Sequence, residues 1–451
     1  MSKKKWLLLF LCILLFAGYW KFFYKTYSET NVARSADCIF ALDIKRVTNT
    51  VIWNTLTTPG HWKKISYSRS AGPGWKDMIK LPDYVFVFHA AGQPNNAWYS
   101  LFEIKNESDF ANGLMLYHFQ KGDSIGSMQQ YFSTSLGISL IRSGNKLLIG
   151  NNAVEDKNCI RQVANEMFVQ KQFAGREKLF RNVSAGSHLS ILIERNDFLQ
   201  DDAIVEMNFD KQNITIDAIL KFTNRFTFTE SNFSYPADGL CSTGFTQPAP
   251  AVYDLLPGKA KENLSKALSF NIDSLLLGNN HHYELNISTI AARTDSAISY
   301  VYDDNFNQVE KVVVNQVMEP AFNFKIHGDS ISSIYKYWEN HGQFEMTPQG
   351  MLFLPIPLVK SYCSKINEKE LSITSMGYKN LPGQNSVQCI FFFKLLLTKI
   401  PPGLLRYLPV GVASSFANLE SIDATFKKTG EGLNFEGRIS KKDNDLPLLN
   451  F

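Results

Sequence analysis

The chain has 451 residues, with 45% hydrophobic and 20% charged residues and a formal charge of +4. It is about three times a ~150-residue domain, and its near-average composition excludes bulk disorder, collagen-like repeats and coiled-coil rods. A single stretch is apolar enough to span a bilayer, which excludes a polytopic transporter; the weak charge gives no reason to expect a nucleic-acid partner.

That stretch comes first. Lys3, Lys4 and Lys5 precede an apolar run over residues 6–20, which continues after Lys21 with Phe22, Phe23 and Tyr24. Basic residues before such a run read as an export signal with its N-terminus left in the cytoplasm. Ala17-Gly18-Tyr19 supplies no A-x-A-like cleavage site, and Cys12, preceded by Leu11, lies too deep for lipoprotein processing. The expectation is an uncleaved anchor over residues 1–25, aromatic rings at the headgroup level, and a body on the extracytoplasmic, periplasmic side.

Outside this segment lie Cys38, Cys159, Cys241, Cys363 and Cys389. No C-x-x-C pair or Cys/His spacing points to zinc. Free, buried thiols are expected, with a Cys363–Cys389 bridge as the alternative. Sequons at Asn106, Asn182, Asn213, Asn232, Asn263 and Asn286 occur about as often as chance allows and establish no secretory origin.

Strands dominate the remainder. A strand at 38–44 leads into a helix at 47–56. Hairpins are predicted over 84–102, 136–149 and 204–220, each turning on Gly, Asn or Asp residues. A polar helix carries Val154, Ile160, Val163, Ala164 and Met167 at helical spacing. Residues 235–250, rich in Gly, Pro, Ser and Thr, read as the main linker. Beyond it, strands are predicted at 274–277, 283–291, 297–302, 322–326, 371–375 and 388–393, and a last hairpin over 421–439. Few of these are joined by the helix-length crossovers that a parallel sheet needs. The expected class is α+β, with large antiparallel sheets and packed helices in two bodies, 26–235 and 236–451. The segments starting Gly122-Asp123-Ser124-Ile125 and Gly328-Asp329-Ser330-Ile331 align, and each half closes in a hairpin, so a duplication would account for both.

In outline the chain resembles the uncharacterised membrane-anchored envelope proteins of Bacteroidetes-type bacteria. The likeness rests on the anchor, on Cys38-Ile39-Phe40-Ala41-Leu42-Asp43 leading into a helix, and on the terminal hairpin. It implies a location and no reaction.

Candidate chemistry is sparse. Gly122-Asp123-Ser124-Ile125-Gly126 matches G-x-S-x-G, but His118-Phe119-Gln120-Lys121 is too polar for the buried strand that presents a nucleophile. Helix capping by Asp or Ser is the expected role of both Gly-Asp-Ser segments, with Ile331, Ile334, Tyr335 and Trp338 as the second helix's buried stripe. His281 and His282 are neighbours on a strand and so point to opposite faces, which argues against a shared ion; an Asn/His-rich hairpin tip is expected. Asp201-Asp202 and Asp303-Asp304-Asn305 lack calcium-loop spacing. No catalytic, cofactor or metal residue is assigned. The apolar run 390–397 reads as a core strand, and Leu404, Leu405, Tyr407 and Leu408 beyond it are the candidate contact with a hydrophobic ligand or membrane. A non-enzymatic binding or scaffold module at the membrane is expected, its partner an envelope protein; a carrier or sensor of lipid-like ligands is the alternative, and a hydrolase using Ser124 a distant third.

Overall fold

The structure, a computed structural model, describes residues 19–20, 22–57, 74–151, 157–246, 258–267, 281–302, 306, 308–356, 359–381, 383–405, 418–430 and 432–442. It divides into two units at Lys221/Phe222. Most of what is described is antiparallel strand with helices packed on it, an α+β architecture built on large sheets.

The first unit contains β1 (Ala36–Asp43), β2 (Ile79–Lys80), β3 (Tyr84–Ala90), β4 (Tyr99–Ile104), β5 (Gln120–Ile125), β6 (Met128–Ser133), β7 (Ile138–Ser143), β8 (Lys146–Gly150), β9 (Leu189–Ile193), β10 (Ala203–Phe209) and β11 (Asn213–Leu220). Their order across the sheet is β11-β10-β9-β1-β3-β4-β8-β7-β6-β5, and β2 pairs with the end of β4. Because side chains alternate along a strand, both faces of this sheet must be covered where the sequence is continuously apolar. Leu140 and Leu147 join Met78 and Phe110 on one face. Their neighbours Ile141 and Leu148 join Ile39, Phe88 and Tyr99 on the other.

His188, buried just before β9, ties three elements together. Thr50 of the helix Ile44–Thr57 lies 2.6 Å from its Nε2, and the Phe209 N–H donates to its Nδ1 at 3.2 Å. Nδ1 also lies 3.2 Å from Asn208 Oδ1, and burial holds the ring's pKa below the ordinary histidine value against the raising effect of that contact. With the folded pKa depressed, the unfolded chain binds more protons, so His188 contributes stability above the ordinary value that is lost as pH falls below it. Thermal melts from pH 7 to pH 5 are expected to show the first unit losing stability. The variant His188→Gln should flatten that profile, and an unchanged profile would place its origin elsewhere.

The second unit contains β12 (Ser231–Pro236), β13 (Cys241–Thr246), β14 (His282–Tyr302), β15 (Gln308–His327), β16 (Phe344–Thr347), β17 (Gly350–Phe353), β18 (Ser361–Asn367), β19 (Glu370–Ser375), β20 (Gln384–Cys389), β21 (Phe391–Leu396), β22 (Leu419–Thr429) and β23 (Gly432–Lys441). The sheet order is β23-β22-β21-β13-β14-β15-β19-β18-β17-β16, with β12 and β20 paired separately. Position by position, this is the order of the first unit. Each unit also places a helix between the same two strands: Glu107–Leu116 after β4, and Ile331–Asn340 after β15.

Several sequence readings change. The presumed linker holds the end of β12 and all of β13, and β13 is a central strand bonded on both sides. Its Gly244 is there for space, since a Cβ would sit 2.5 Å from the Phe392 ring and 2.6 Å from that of Phe233. The first Gly-Asp-Ser segment lies in β5 and turns through Gly126 (φ 58°) into β6, so it caps no helix. The second does precede a helix, whose Ile331, Ile334 and Trp338 are buried as expected, but Ser330 makes no side-chain cap bond. The shared strand order therefore matches Asn106, which caps the first unit's helix by accepting from the Ser108 and Asp109 N–H groups, with Ser330, and not Ser124 with Ser330. The strands expected at 283–291 and 297–302 are one continuous β14. The strand expected at 274–277, Val154 and Asp303-Asp304-Asn305 lie outside the described residues.

Cys38, Cys159, Cys241, Cys363 and Cys389 are all unbridged, so the Cys363–Cys389 alternative falls. Cys363 sits in the apolar cluster of Ile331 and Trp338, and Cys389 in that of Phe233 and Phe392. Burial pushes their thiols up to about 12 and about 11, which keeps them protonated and unreactive. Among the sequons, Asn182 is fully buried and donates to the Ile39 carbonyl, and Asn286 is buried within β14, so neither has room for a glycan.

Candidate functional site

The hairpin β14–β15 concentrates the unusual features. Its base is embedded in the sheet, β13 pairing with residues 282–287 and β19 with residues 323–327. From Ala291↔Glu319 to Tyr302↔Gln308, twelve consecutive pairs follow in which, among the described residues, the two strands bond only each other. At ~3.4 Å per residue this ribbon is about 40 Å long. The first unit forms the equivalent positions of its sheet with strands of 7 and 6 residues, against 21 and 20 here. The ribbon is therefore more than the shared sheet requires.

Both of its faces mix polar and apolar side chains, and one holds a row of exposed large hydrophobics. Ile298 pairs with Val312, and Tyr300, Val314 and Met318 share their face; all are exposed, Val312 by 64%. The opposite face carries Arg293, Ser299, Lys311 and Glu319, with Arg293 Nε 3.0 Å from Glu319 Oε2, interleaved with Val301, Val309, Val313 and Val317. Phe306, in the connecting turn, is 84% exposed. Such a run of aliphatic side chains in water costs free energy unless something covers it.

The base carries a different chemistry. His282 and Glu284 are two residues apart on one strand and so share a face, and register places His327 directly opposite His282. The two imidazoles stack at 4.4 Å and 11°. Ligand atoms of His282, Glu284 and His327 all lie within 4.8 Å of one another. Burial holds His282 at about 4, helped by repulsion from His327 and His281, and burial likewise lowers His327. Burial raises Glu284 against the lowering effect of the Ser234 N–H, which donates to its carboxylate at 3.4 Å. Lys325, across from Glu284, is 3.4 Å from Glu370.

The adjacent pair His281 and His282 does not form this group. His281 points the other way and packs against Gly328, where a Cβ would meet its ring at 1.7 Å. The expected hairpin tip is instead the inner end of a central strand, His282 bonding to Thr246 on one side and His327 on the other. What sequence reasoning missed was the i, i+2 spacing of His282 and Glu284. His327 left no local signal, because its place opposite His282 is set by pairing 45 residues away.

Other sequence candidates are dispersed. Ser124 is exposed and donates to Gln129 Oε1 at 2.9 Å across the β5–β6 hairpin, with no buried strand behind it. Asp201 pairs with Lys221, and Asp202 with Arg181, so both serve as structural ion pairs. Residues 391–396 form β21, a core strand as expected. Leu404 is half-buried at the end of a short helix, Pro402–Leu405; the Leu405 side chain, Tyr407 and Leu408 lie outside the described residues.

Among the described residues no helix is long and apolar enough to cross a membrane, and residues 1–18 lie outside them. The chain that emerges from the apolar run is held on the helix Ile44–Thr57: Asn49 donates to the Phe22 carbonyl at 2.8 Å and Lys45 to the Tyr24 carbonyl. Tyr19, Trp20, Phe23, Ile52, Trp53 and Leu56 are exposed there.

No family model matches the sequence, and no curated protein matches it. Among solved structures, crystal form I of TP0453 is similar at 9% identity and a TM-score of 0.26, over 45% of this chain and 81% of that one. Crystal form III of TP0453 is similar at 9% identity and a TM-score of 0.27, over 44% and 81%. Likeness of this extent carries nothing about function to this chain.

Proposed function

We propose that this chain is a non-catalytic binding module of the cell envelope, anchored by residues 1–25, whose β14–β15 ribbon docks a partner protein. The observation that carries this reading is the ribbon itself. It is longer than the shared sheet needs, carries a row of exposed aliphatic and aromatic side chains, and among the described residues is open along both main-chain edges. The partner is a protein offering an extended strand and an apolar surface. Open edges suit β-augmentation, in which main-chain bonds supply affinity and alternate side chains supply specificity. They suit hydrocarbon poorly, because unpaired N–H and C=O groups there cost several kcal/mol each. The ribbon's twenty-four paired residues match one side of a standard interface, about 20–30 residues.

The exposed aromatic and aliphatic side chains around Phe23 and Trp53 support a place for the first unit beside a membrane. The shared strand order supports descent of the two units from one duplicated ancestor. A cavity among the described residues of the second unit, about 110 Å³ and lined by Ser234, Asn286, Asn323, Lys325 and Gln384 among others, lends the lipid-carrier alternative no support. Ligand pockets are apolar and roughly 300–1,000 Å³.

The test places a photocross-linking amino acid at Val312 of the full chain in its native membranes. A captured protein is identified by mass, purified, and its binding to the full chain measured. Ile298→Asp with Val314→Asp is expected to weaken that binding at least tenfold, about 1.4 kcal/mol, at an unchanged melting temperature. Cross-links to lipid alone, or binding indifferent to the two aspartates, would overturn the proposal.

A further inference from the structure

We infer that His282, Glu284 and His327 form a binding site for a divalent transition-metal ion of the zinc class, independently of what the ribbon docks. Two imidazole nitrogens and one carboxylate are a donor set that zinc takes readily, and three protein ligands leave a fourth position for water or an exogenous group. The backbone brings them together without strain. Period two along β14 aligns His282 with Glu284, and cross-strand pairing adds His327. Ligand atoms within 4.8 Å of one another need only side-chain rotation to close on an ion at about 2.0–2.2 Å from each.

Two further observations point to a cation. Glu284 is 4% exposed, and among the described residues the hydrogen bond to its carboxylate is one long one from the Ser234 N–H. A buried carboxylate needs far more compensation than that. The nearest lysine along the register, Lys325, is engaged by Glu370, which offsets its charge. His327 Nε2 is likewise shielded from solvent, with no hydrogen-bond partner among the described residues. One ion would satisfy both groups, and it would clamp the two strands where the ribbon leaves the sheet. Phe233, edge-on to the His282 ring at 5.6 Å, walls the site on one side and restricts water.

The experiment uses the untagged full chain in detergent micelles, stripped with chelator and dialysed. Zinc chloride is titrated calorimetrically, and bound metal is counted by mass spectrometry after gel filtration. One equivalent of zinc is expected, with a rise in the melting temperature of the second unit. Cobalt(II) in its place should give the visible absorption of a four-coordinate site. His327→Ala and the isosteric Glu284→Gln should each weaken zinc binding by at least about 100-fold, and His341→Ala, at an exposed histidine elsewhere, should leave it unchanged. Absence of a stoichiometric ion in the wild-type chain would overturn the inference, whatever the variants do. So would zinc binding that survives Glu284→Gln in a chain with an unchanged circular-dichroism spectrum. Should His327→Ala fail to fold, Glu284→Gln still decides, because it keeps the shape of the side chain it replaces.

Discussion

Trp338→Ala is expected to cost the second unit about 3–5 kcal/mol, the range for deleting a fully buried large aromatic. Trp338 has no solvent exposure and stands at the centre of the second unit's core, 5.0 Å ring to ring from Phe353 and 6.3 Å from Phe344. Ile331 and Ile334 lie on the same helical stripe, and Leu371 and Ile373 of β19 close the space beneath. Its neighbours in this core are aromatic or short aliphatic side chains, ill suited to fill the void, so the transfer loss and the cavity term add. Denaturant melts followed by tryptophan-free probes, such as far-ultraviolet dichroism, should show one transition moved and the other in place. A shift below about 1 kcal/mol would mean that the helix Ile331–Asn340 is not held by this core.

Lys25→Met is expected to destabilise the first unit by about 2–3 kcal/mol. Asp43 is buried at the end of β1, where it accepts from the Arg46 N–H at 2.8 Å and is paired with the Lys25 ammonium. The Tyr84 hydroxyl bonds the same carboxylate, and burial with that contact holds its pKa well above the ordinary tyrosine value. Lys25 also lies over the Tyr84 ring at 5.7 Å. Removing the cation leaves a charge in a dry site, which costs about 3–5 kcal/mol when the pair is fully buried and less here, where Lys25 keeps some water. Adding Asp43→Asn should recover part of the loss, because no orphaned charge remains. If the double variant is instead worse by the sum of the two single effects, the pair behaves as an ordinary surface ion pair. The link matters for the proposed function, since Lys25 is the last residue of the expected anchor.

Elements whose signals are local were legible in the chain. The hairpins β3–β4, β7–β8, β10–β11 and β22–β23 all stand where alternation and turn residues predicted them. The buried stripe of Ile331, Ile334 and Trp338 was legible from helical spacing alone. Misreadings cluster where a residue serves a distant partner. Gly244 looked like part of a linker because its role, admitting the rings of Phe233 and Phe392 against the backbone, belongs to residues far along the chain. Gly122-Asp123-Ser124 looked like a helix start because turn and cap chemistry use the same residues.

By itself the sequence determined the antiparallel class, most hairpins and the position of one hydrophobic helix stripe, all of which depend on contacts a few residues apart. Tertiary structure alone decided the rest. Strand order is a choice among long-range pairings, and only there do the two units prove to share one topology. The length of the β14–β15 ribbon became visible only once its outer residues were found without sheet neighbours among the described residues. The approach of His327 to His282 and Glu284 likewise follows from register across a turn. A pairing of that kind joins side chains through backbone bonds that carry no residue identity, so the sequence holds no local trace of it.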